Sequence, residues 1–97
     1  MKRRDNEVTG QQISSSMPYY VYILQAADNM LYTGTTKNIE ERVARHNRGG
    51  GGRFTKGRRP LKLIYYEELN SLKSAMAREI QIKRLPRLKK LELIKKQ

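Results

Sequence analysis

The sequence predicts a small α/β domain of the α+β type. A three-stranded, mainly antiparallel sheet is flanked by three helices, in the order β-β-α-β-α-α. Three observations predict it. The chain has 97 residues, enough for one hydrophobic core and not two. Aromatic and β-branched blocks recur as strand-sized runs bounded by turn residues. Two cap-like polar residues and one proline mark where helices begin and break.

The polar stretch Met1 to Ser16 reads as a disordered leader, and the domain as residues 17–97. Tyr19 to Leu24 is aromatic and β-branched, a strand by composition. Ala27-Asp28-Asn29 is a turn signal, and Met30 to Gly34 reads as the second strand of a hairpin. Pleat alternation places Tyr20 and Tyr22 on one face. Gly34 closes that strand, where backbone approaches something closely. Asn38 reads as an N-cap, with Glu41 three residues on as in a capping box. The helix passes Arg42, Val43 and His46 and stops at Gly49 to Gly52. A flexible basic loop follows, carrying Arg53, Lys56, Arg58 and Arg59, and Pro60 closes it. Leu61 to Tyr66 is the third strand. Ser71 or Asn70 caps a second helix that ends at Leu85, before Pro86. A third helix runs from Arg87 to about Lys96, with Leu88, Leu91 and Ile94 as its apolar positions.

Composition narrows the function. Lys and Arg number 21 against 9 Asp and Glu, a net charge of +12, which implies a polyanionic partner. The leader contributes +1 of that; from Arg42 to Tyr66 there are eight basic residues and no acidic one. The absence of cysteine excludes disulfides and Cys-based zinc sites, and a single histidine excludes a His-pair metal motif. No apolar run approaches the roughly 18 residues of a membrane span, and the N-terminus is not a signal peptide. The expected location is cytoplasmic.

Helical periodicity then marks candidate residues. With Ile39 at zero, Val43 falls at about +40°, His46 at about −20° and Arg42 at about −60°, so Arg42 and His46 share the apolar face. Each taken alone is an ordinary core-edge residue. On the second helix the wheel puts Leu72, Ala75, Met76, Ile80 and Ile82 in one arc, with Glu79 and Lys83 inside it. A carboxylate in a buried stripe is costly unless it is paired or holds a metal. The pairing reading is a Glu79–Lys83 i, i+4 contact; the metal reading is a Mg²⁺ carboxylate. Tyr19, Tyr65 and Tyr66 read as core packing. Tyr20, Tyr22 and Tyr32 sit on one hairpin, where their hydroxyls could converge.

These residues carry a resemblance. Tyr20-Val21-Tyr22, followed about ten residues later by Tyr32-Thr33-Gly34, resembles the paired signature of the GIY-YIG endonuclease superfamily, with Tyr20 in place of Gly and Thr33 in place of Ile. Arg42, His46 and Glu79 follow in the superfamily's order. The resemblance spans roughly Pro18 to Lys96, and the compact length is similar to small bacterial members of the URI-like branch. One position departs: the Asn that many members carry about a dozen residues after the Glu falls near Leu91, and no Asn follows Asn70.

The resemblance implies metal-dependent hydrolysis of phosphodiester bonds. Glu79 would hold Mg²⁺ or Mn²⁺, Arg42 would bind the phosphate, Tyr32 would be the general base assisted by Tyr22, and His46 would orient a hydroxyl or shuttle a proton. Gly34 would let backbone approach the substrate. Arg45, Arg53, Lys56, Arg58, Arg59, Lys83, Arg84, Arg87 and Lys90 would contact phosphates, setting affinity more than sequence choice. DNA is the expected partner, with RNA left open, no membrane, and a protein partner or self-association as a source of specificity. Two readings stand: a structure-directed or weakly specific DNA endonuclease, favoured by the Tyr, Arg, His and Glu set, and a binding protein that keeps the fold with little or no cleavage, favoured by the departed Asn.

Overall fold

A computed structural model describes residues 18–50 and 57–96. The leader and the loop residues Arg53 and Lys56 lie outside this range. The elements are β1 (Tyr19–Gln25), β2 (Leu31–Thr36), α1 (Ile39–Asn47), β3 (Lys62–Leu69), α2 (Leu72–Lys83) and α3 (Arg87–Lys95). Their order is the expected one. The sheet runs β2-β1-β3, and both pairings are antiparallel.

The hairpin turn follows its local chemistry. Asn29 takes a positive φ of 69°, which asparagine tolerates, and the Asp28 carboxylate accepts from the Met30 N–H at 3.2 Å. Two strands are longer than the sequence suggests. β2 does not end at Gly34; Thr35 and Thr36 continue it opposite Val21 and Tyr20. β3 extends through Glu67 and Glu68 to Leu69, charges that composition alone would assign to a loop. Glu67 is tolerated because Arg78 of α2 reaches it with Nε at 2.8 Å and Nη2 at 3.2 Å, and the Tyr65 hydroxyl also donates to it. Burial pushes the Glu67 carboxyl up, but the hydrogen bonds from Arg78 and Tyr65 outweigh it and hold the group below its ordinary value.

Pleat alternation gives the sheet two covered faces. On one, Val21, Ile23 and Tyr65 pack with Ala75 and Ile82 of α2, joined by Leu93 and Ile94 of α3. On the other, Tyr22, Leu24, Ala26 and Leu61 pack with Val43 of α1. The helical wheel of α2 needs correcting here. Ala75 and Ile82 are fully buried, whereas Leu72, Met76 and Ile80 are 46%, 52% and 49% exposed. The sheet lies to one side of the apolar arc, so the buried face is rotated toward the small residue Ala75. Leu88 of α3 is likewise exposed, and Leu93 and Ile94 make the contact instead. Among the tyrosines expected in the core, Tyr65 is buried and Tyr19 packs beside it, but Tyr66 points outward.

Both predicted caps form. Asn38 accepts from the Glu41 N–H at 3.0 Å, and Ser71 from the Ser74 N–H at 3.1 Å. Pro86 itself stands at the N-cap of α3. No helix among the described residues is long and apolar enough to cross a membrane.

The return from the basic loop is fastened by a residue that the sequence did not single out. Asn47, at the end of α1, accepts from the Leu61 N–H at 2.7 Å and donates to the Leu61 carbonyl at 3.1 Å. Asn47→Ala leaves both backbone groups without that partner. We expect a loss of about 1–3 kcal/mol. In thermal unfolding, that is roughly 4–8 °C per kcal/mol for a domain this small. Asn47→Asp, which keeps only the acceptor, should lose less.

Candidate active site

Tyr22 stands opposite Gly34 in the β1–β2 register. A Cβ on residue 34 would lie 2.5 Å from the Tyr22 hydroxyl oxygen and 2.7 Å from its ring carbon Cζ. Gly34 is therefore the floor on which Tyr22 lies. This corrects the expectation that Gly34 admits a substrate: the residue is buried, and the close approach is made by Tyr22. The hydroxyl so placed shares a 3.1 Å hydrogen bond with Nε2 of His46, which is fully buried. The Tyr32 ring completes the cluster, with centroids 5.1 Å from His46 and 6.2 Å from Tyr22. Tyr20 does not join it; its ring meets Tyr66.

The electrostatics of this cluster separate its members. Burial, and then the charge of Tyr32, push the Tyr22 hydroxyl well above the ordinary phenol value; Arg42 opposes this through its charge and a hydrogen bond, but does not prevail. Tyr22 thus stays a protonated hydroxyl. His46 is pushed below its ordinary value by burial and by the Arg42 and Arg45 charges, so the imidazole is neutral at pH 7.

Arg42 links this cluster to open space. Its Nε is buried with no hydrogen-bond partner among the described residues, an unmet donor of the kind an anion satisfies. The same residue lines a cavity of about 630 Å³ together with Thr35, Lys37, Glu41, Arg45 and Glu79. Arg42 comes from the helix on one face of the sheet and Glu79 from the helix on the other. They meet because β2 is an edge strand: the cavity wraps round its end, where the chain turns into α1. Tyr22, Tyr32 and His46 pack behind Arg42 and are not among the lining residues.

Glu79 is partly buried, at 21% side-chain exposure, and both of its oxygens are engaged. The Thr35 hydroxyl donates to Oε1, and Lys83 Nζ lies 2.7 Å from Oε2. The i, i+4 pairing therefore forms, at the rim of the cavity and not inside a buried stripe. Among the described residues no group of three or more His, Cys, Asp or Glu side chains gathers, so a cation here would rest on Glu79 with solvent and substrate oxygens.

The basic residues divide. Arg58 Nε donates to Asp28 at 3.0 Å and Arg59 Nη1 to the Asn47 carbonyl at 3.1 Å, so both hold the loop to its own domain. Lys83 is held by Glu79. Arg45 borders the cavity, 4.0 Å from Glu41. Arg87 and Lys90 line a smaller cavity with Met30 and Leu31, at the far end of the same edge strand from Thr35, roughly 13 Å away at strand rise. Arg84, at the C-cap of α2, is exposed. Sequence reasoning missed Thr35 and Lys37. The signal available for Thr35 was its alternation partner Thr33, which continues the edge strand past the glycine.

Residues 18–92 match the model of the GIY-YIG catalytic domain. The chain is 52% identical over 77 residues to a UPF0213 protein of Syntrophus aciditrophicus, covering 78% of this chain and 88% of that one. It is 49% identical over 75 residues to a UPF0213 protein of Clostridium perfringens, covering 77% and 81%. Among solved structures it is similar to the solution NMR structure of a UPF0213 protein of Bacillus halodurans, with a TM-score of 0.54 and 38% identity over 81% of this chain and 84% of that one.

Two outcomes follow from this geometry. Gly34→Ala should displace the Tyr22 ring and destabilise the domain by about 1–3 kcal/mol in urea unfolding. The second concerns pH. Because the folded state holds His46 below its ordinary value of 6.5, the unfolded chain binds the proton first as pH falls. Stability is then fully present above about pH 6.5 and declines below it. The carboxylate Glu67 acts separately: its contribution is present above its unfolded value near 4.5 and is lost only at lower pH. The thermal unfolding temperature of wild type should therefore drop as pH falls below about 6.5, and that drop should be smaller in His46→Gln.

Proposed function

The chain belongs to the GIY-YIG catalytic-domain family, and we propose that it is a metal-dependent endonuclease hydrolysing phosphodiester bonds in DNA, directed by structure or by weak sequence preference. One observation carries this reading. A guanidinium and a carboxylate from opposite faces of the sheet, Arg42 and Glu79, line one open cavity of about 630 Å³. These are the two charges that phosphodiester hydrolysis asks for, one for the phosphate and one for its cation.

Glu79 offers hard oxygen donors, with the Thr35 hydroxyl alongside. Such a set suits Mg²⁺ or Mn²⁺, which take one or two carboxylates, water and substrate phosphate. When bound, the cation would supply Lewis acidity to the phosphate and the leaving oxygen. Lys83, itself half-exposed, would first release Oε2; i, i+4 pairs of this kind hold with only about 0.3–0.5 kcal/mol when solvated.

The remaining roles fall to the chain's own groups. Arg42 donates to the phosphate and offsets the charge that grows there. Tyr22 is the fixed hydroxyl: burial keeps its proton in place, and His46, neutral at pH 7, holds its oxygen. Tyr32 is then the tyrosine left to take a proton from the attacking water, relayed through an intervening water because Tyr32 does not line the cavity, once its own proton has passed to solvent. Arg45, Arg84, Arg87 and Lys90 extend the basic surface along which DNA would lie.

A second reading, a DNA-binding protein with little or no cleavage, is favoured by Leu91, a half-buried apolar residue where many family nucleases carry Asn. One assay separates the two. Wild type, Glu79→Gln and Arg42→Ala are incubated with flapped, branched and linear DNA in Mg²⁺, in Mn²⁺ and in EDTA. We expect metal-dependent cleavage that falls by roughly 10²–10³ in each variant, while Glu79→Gln keeps salt-sensitive binding. Wild type that binds but does not cut supports the second reading. Cleavage surviving in both variants rejects this site.

A further inference from the structure

The helix α1 covers only part of the sheet face on which it packs. Its Val43 packs with Tyr22 and Leu24, and past its N-terminus stand Tyr20, partly buried, and Tyr66, exposed. Tyr66 is 53% exposed. The two rings meet edge to face, with centroids 6.2 Å apart. They form one wall of a second cavity of about 450 Å³, within the roughly 300–1,000 Å³ of small-molecule sites. Its other wall includes Lys37, Asn38 and Glu40.

Lys37 and Asn38 also line the cavity that holds Arg42 and Glu79. The two cavities are thus neighbours across the short link between β2 and α1. Their chemistry differs. The Lys37 ammonium lies 5.6 Å over the Tyr19 ring, which belongs to the Glu79 side, where Arg42 and Arg45 add two more cations. On the far side stand two phenol rings and the Glu40 carboxylate. The first side also carries Glu41 and Glu79, but each has a cation beside it, Arg45 at 4.0 Å and Lys83 at 2.7 Å, which leaves Arg42 to attract a phosphate there, whereas Glu40 on the second side repels one. An uncharged base suits the second: its face stacks on a ring, and its N–H groups find an acceptor.

We infer that Tyr20 and Tyr66 form a stacking subsite for an unpaired nucleobase, one that adjoins the phosphodiester held at Arg42. The inference rests on the reading of the protein as a DNA nuclease and adds the state of the base beside the cut. A base stacked inside a duplex has no free face to offer. The subsite therefore selects single strands, flaps and frayed ends over intact duplex. It also gives Tyr66 a use that the core does not: a β-branched residue would hold β3 as well without leaving a ring in water.

The test is made by binding, in metal-free buffer, so that cleavage does not enter. The probe is a short single-stranded DNA with 2-aminopurine at successive positions, compared with a blunt duplex of the same sequence. Wild type should quench 2-aminopurine and prefer the single strand. In Tyr66→Ala the quenching should vanish and the single-strand affinity should fall roughly 5- to 150-fold, lowering the ratio of single-strand to duplex affinity. Tyr66→Phe should keep both. Tyr66→Thr, which retains a strand-forming residue, gives the same reading if the alanine variant unfolds. A wild-type ratio and full quenching in Tyr66→Ala and Tyr66→Thr overturn the subsite and leave the nuclease reading standing. Equal losses in Tyr66→Phe overturn stacking in favour of a contact through the hydroxyl, such as one a peptide side chain would make. Wild type that binds neither DNA rejects the nuclease reading, and the subsite with it.

Discussion

The hydrogen bond between the Tyr22 hydroxyl and His46 Nε2 organises this domain. It is possible because residue 34 lacks a side chain, so the Tyr22 ring can lie across the neighbouring strand. It joins α1 to the centre of the sheet, where both groups are almost completely buried. Two consequences follow from its burial. The hydroxyl is kept protonated and the imidazole neutral, so the pair carries no net charge despite lying beside Arg42. Arg42 is thereby left as the uncompensated charge at this end of α1, with a buried Nε that no described residue satisfies. The polar cluster behind and the cation in front are parts of one arrangement.

The second constraint is topological. Arg42 and Glu79 sit on helices that cover opposite faces of the sheet, and a continuous sheet would keep them apart. They share a cavity because β2 is the last strand in the order β2-β1-β3 and ends near both helices. Thr35 completes the join: its side chain points to the α2 face and donates to Glu79, while its neighbours Gly34 and Thr36 belong to the α1 face. Alternation along one edge strand thus serves both halves of the site. The bidentate Arg78–Glu67 pair fixes α2, the helix that carries Glu79, against β3 on the same face.

The parts of this structure that were legible in the sequence are those with short-range causes. The hairpin turn, the Asn38 and Ser71 caps and the break at Pro86 each depend on residues a few positions apart, and all are where the sequence puts them. The Tyr22, Tyr32 and His46 cluster and the shared cavity of Arg42 and Glu79 were legible through an ordered pattern of residues. The rest required tertiary information. A helical wheel ranks hydrophobicity round α2 but does not say where the sheet lies, so Leu72, Met76 and Ile80 were assigned to a core that selects Ala75 and Ile82. Glu67 and Glu68 looked like a loop because Arg78, the partner of Glu67, is eleven residues further on. Asn47 gave no signal, since one asparagine before glycines is as consistent with a helix end as with a backbone clamp. Arg58 and Arg59 were read as phosphate contacts, and their bonds to Asp28 and the Asn47 carbonyl gave no sequence signal because those acceptors are brought to them only by folding.

Building the site on an edge strand has a consequence for how copies of this chain meet. An outermost strand carries a row of backbone donors and acceptors facing outward, the feature through which sheets of separate molecules join. Here the outer flank of β2 runs from Arg87 and Lys90 at its start to Lys37 and Arg42 at its end. Two such flanks brought side by side would set cation against cation. The same row of charge that would gather a polyanion therefore also insulates the strand from its own kind. Neutralising those cations would remove the guard from the strand.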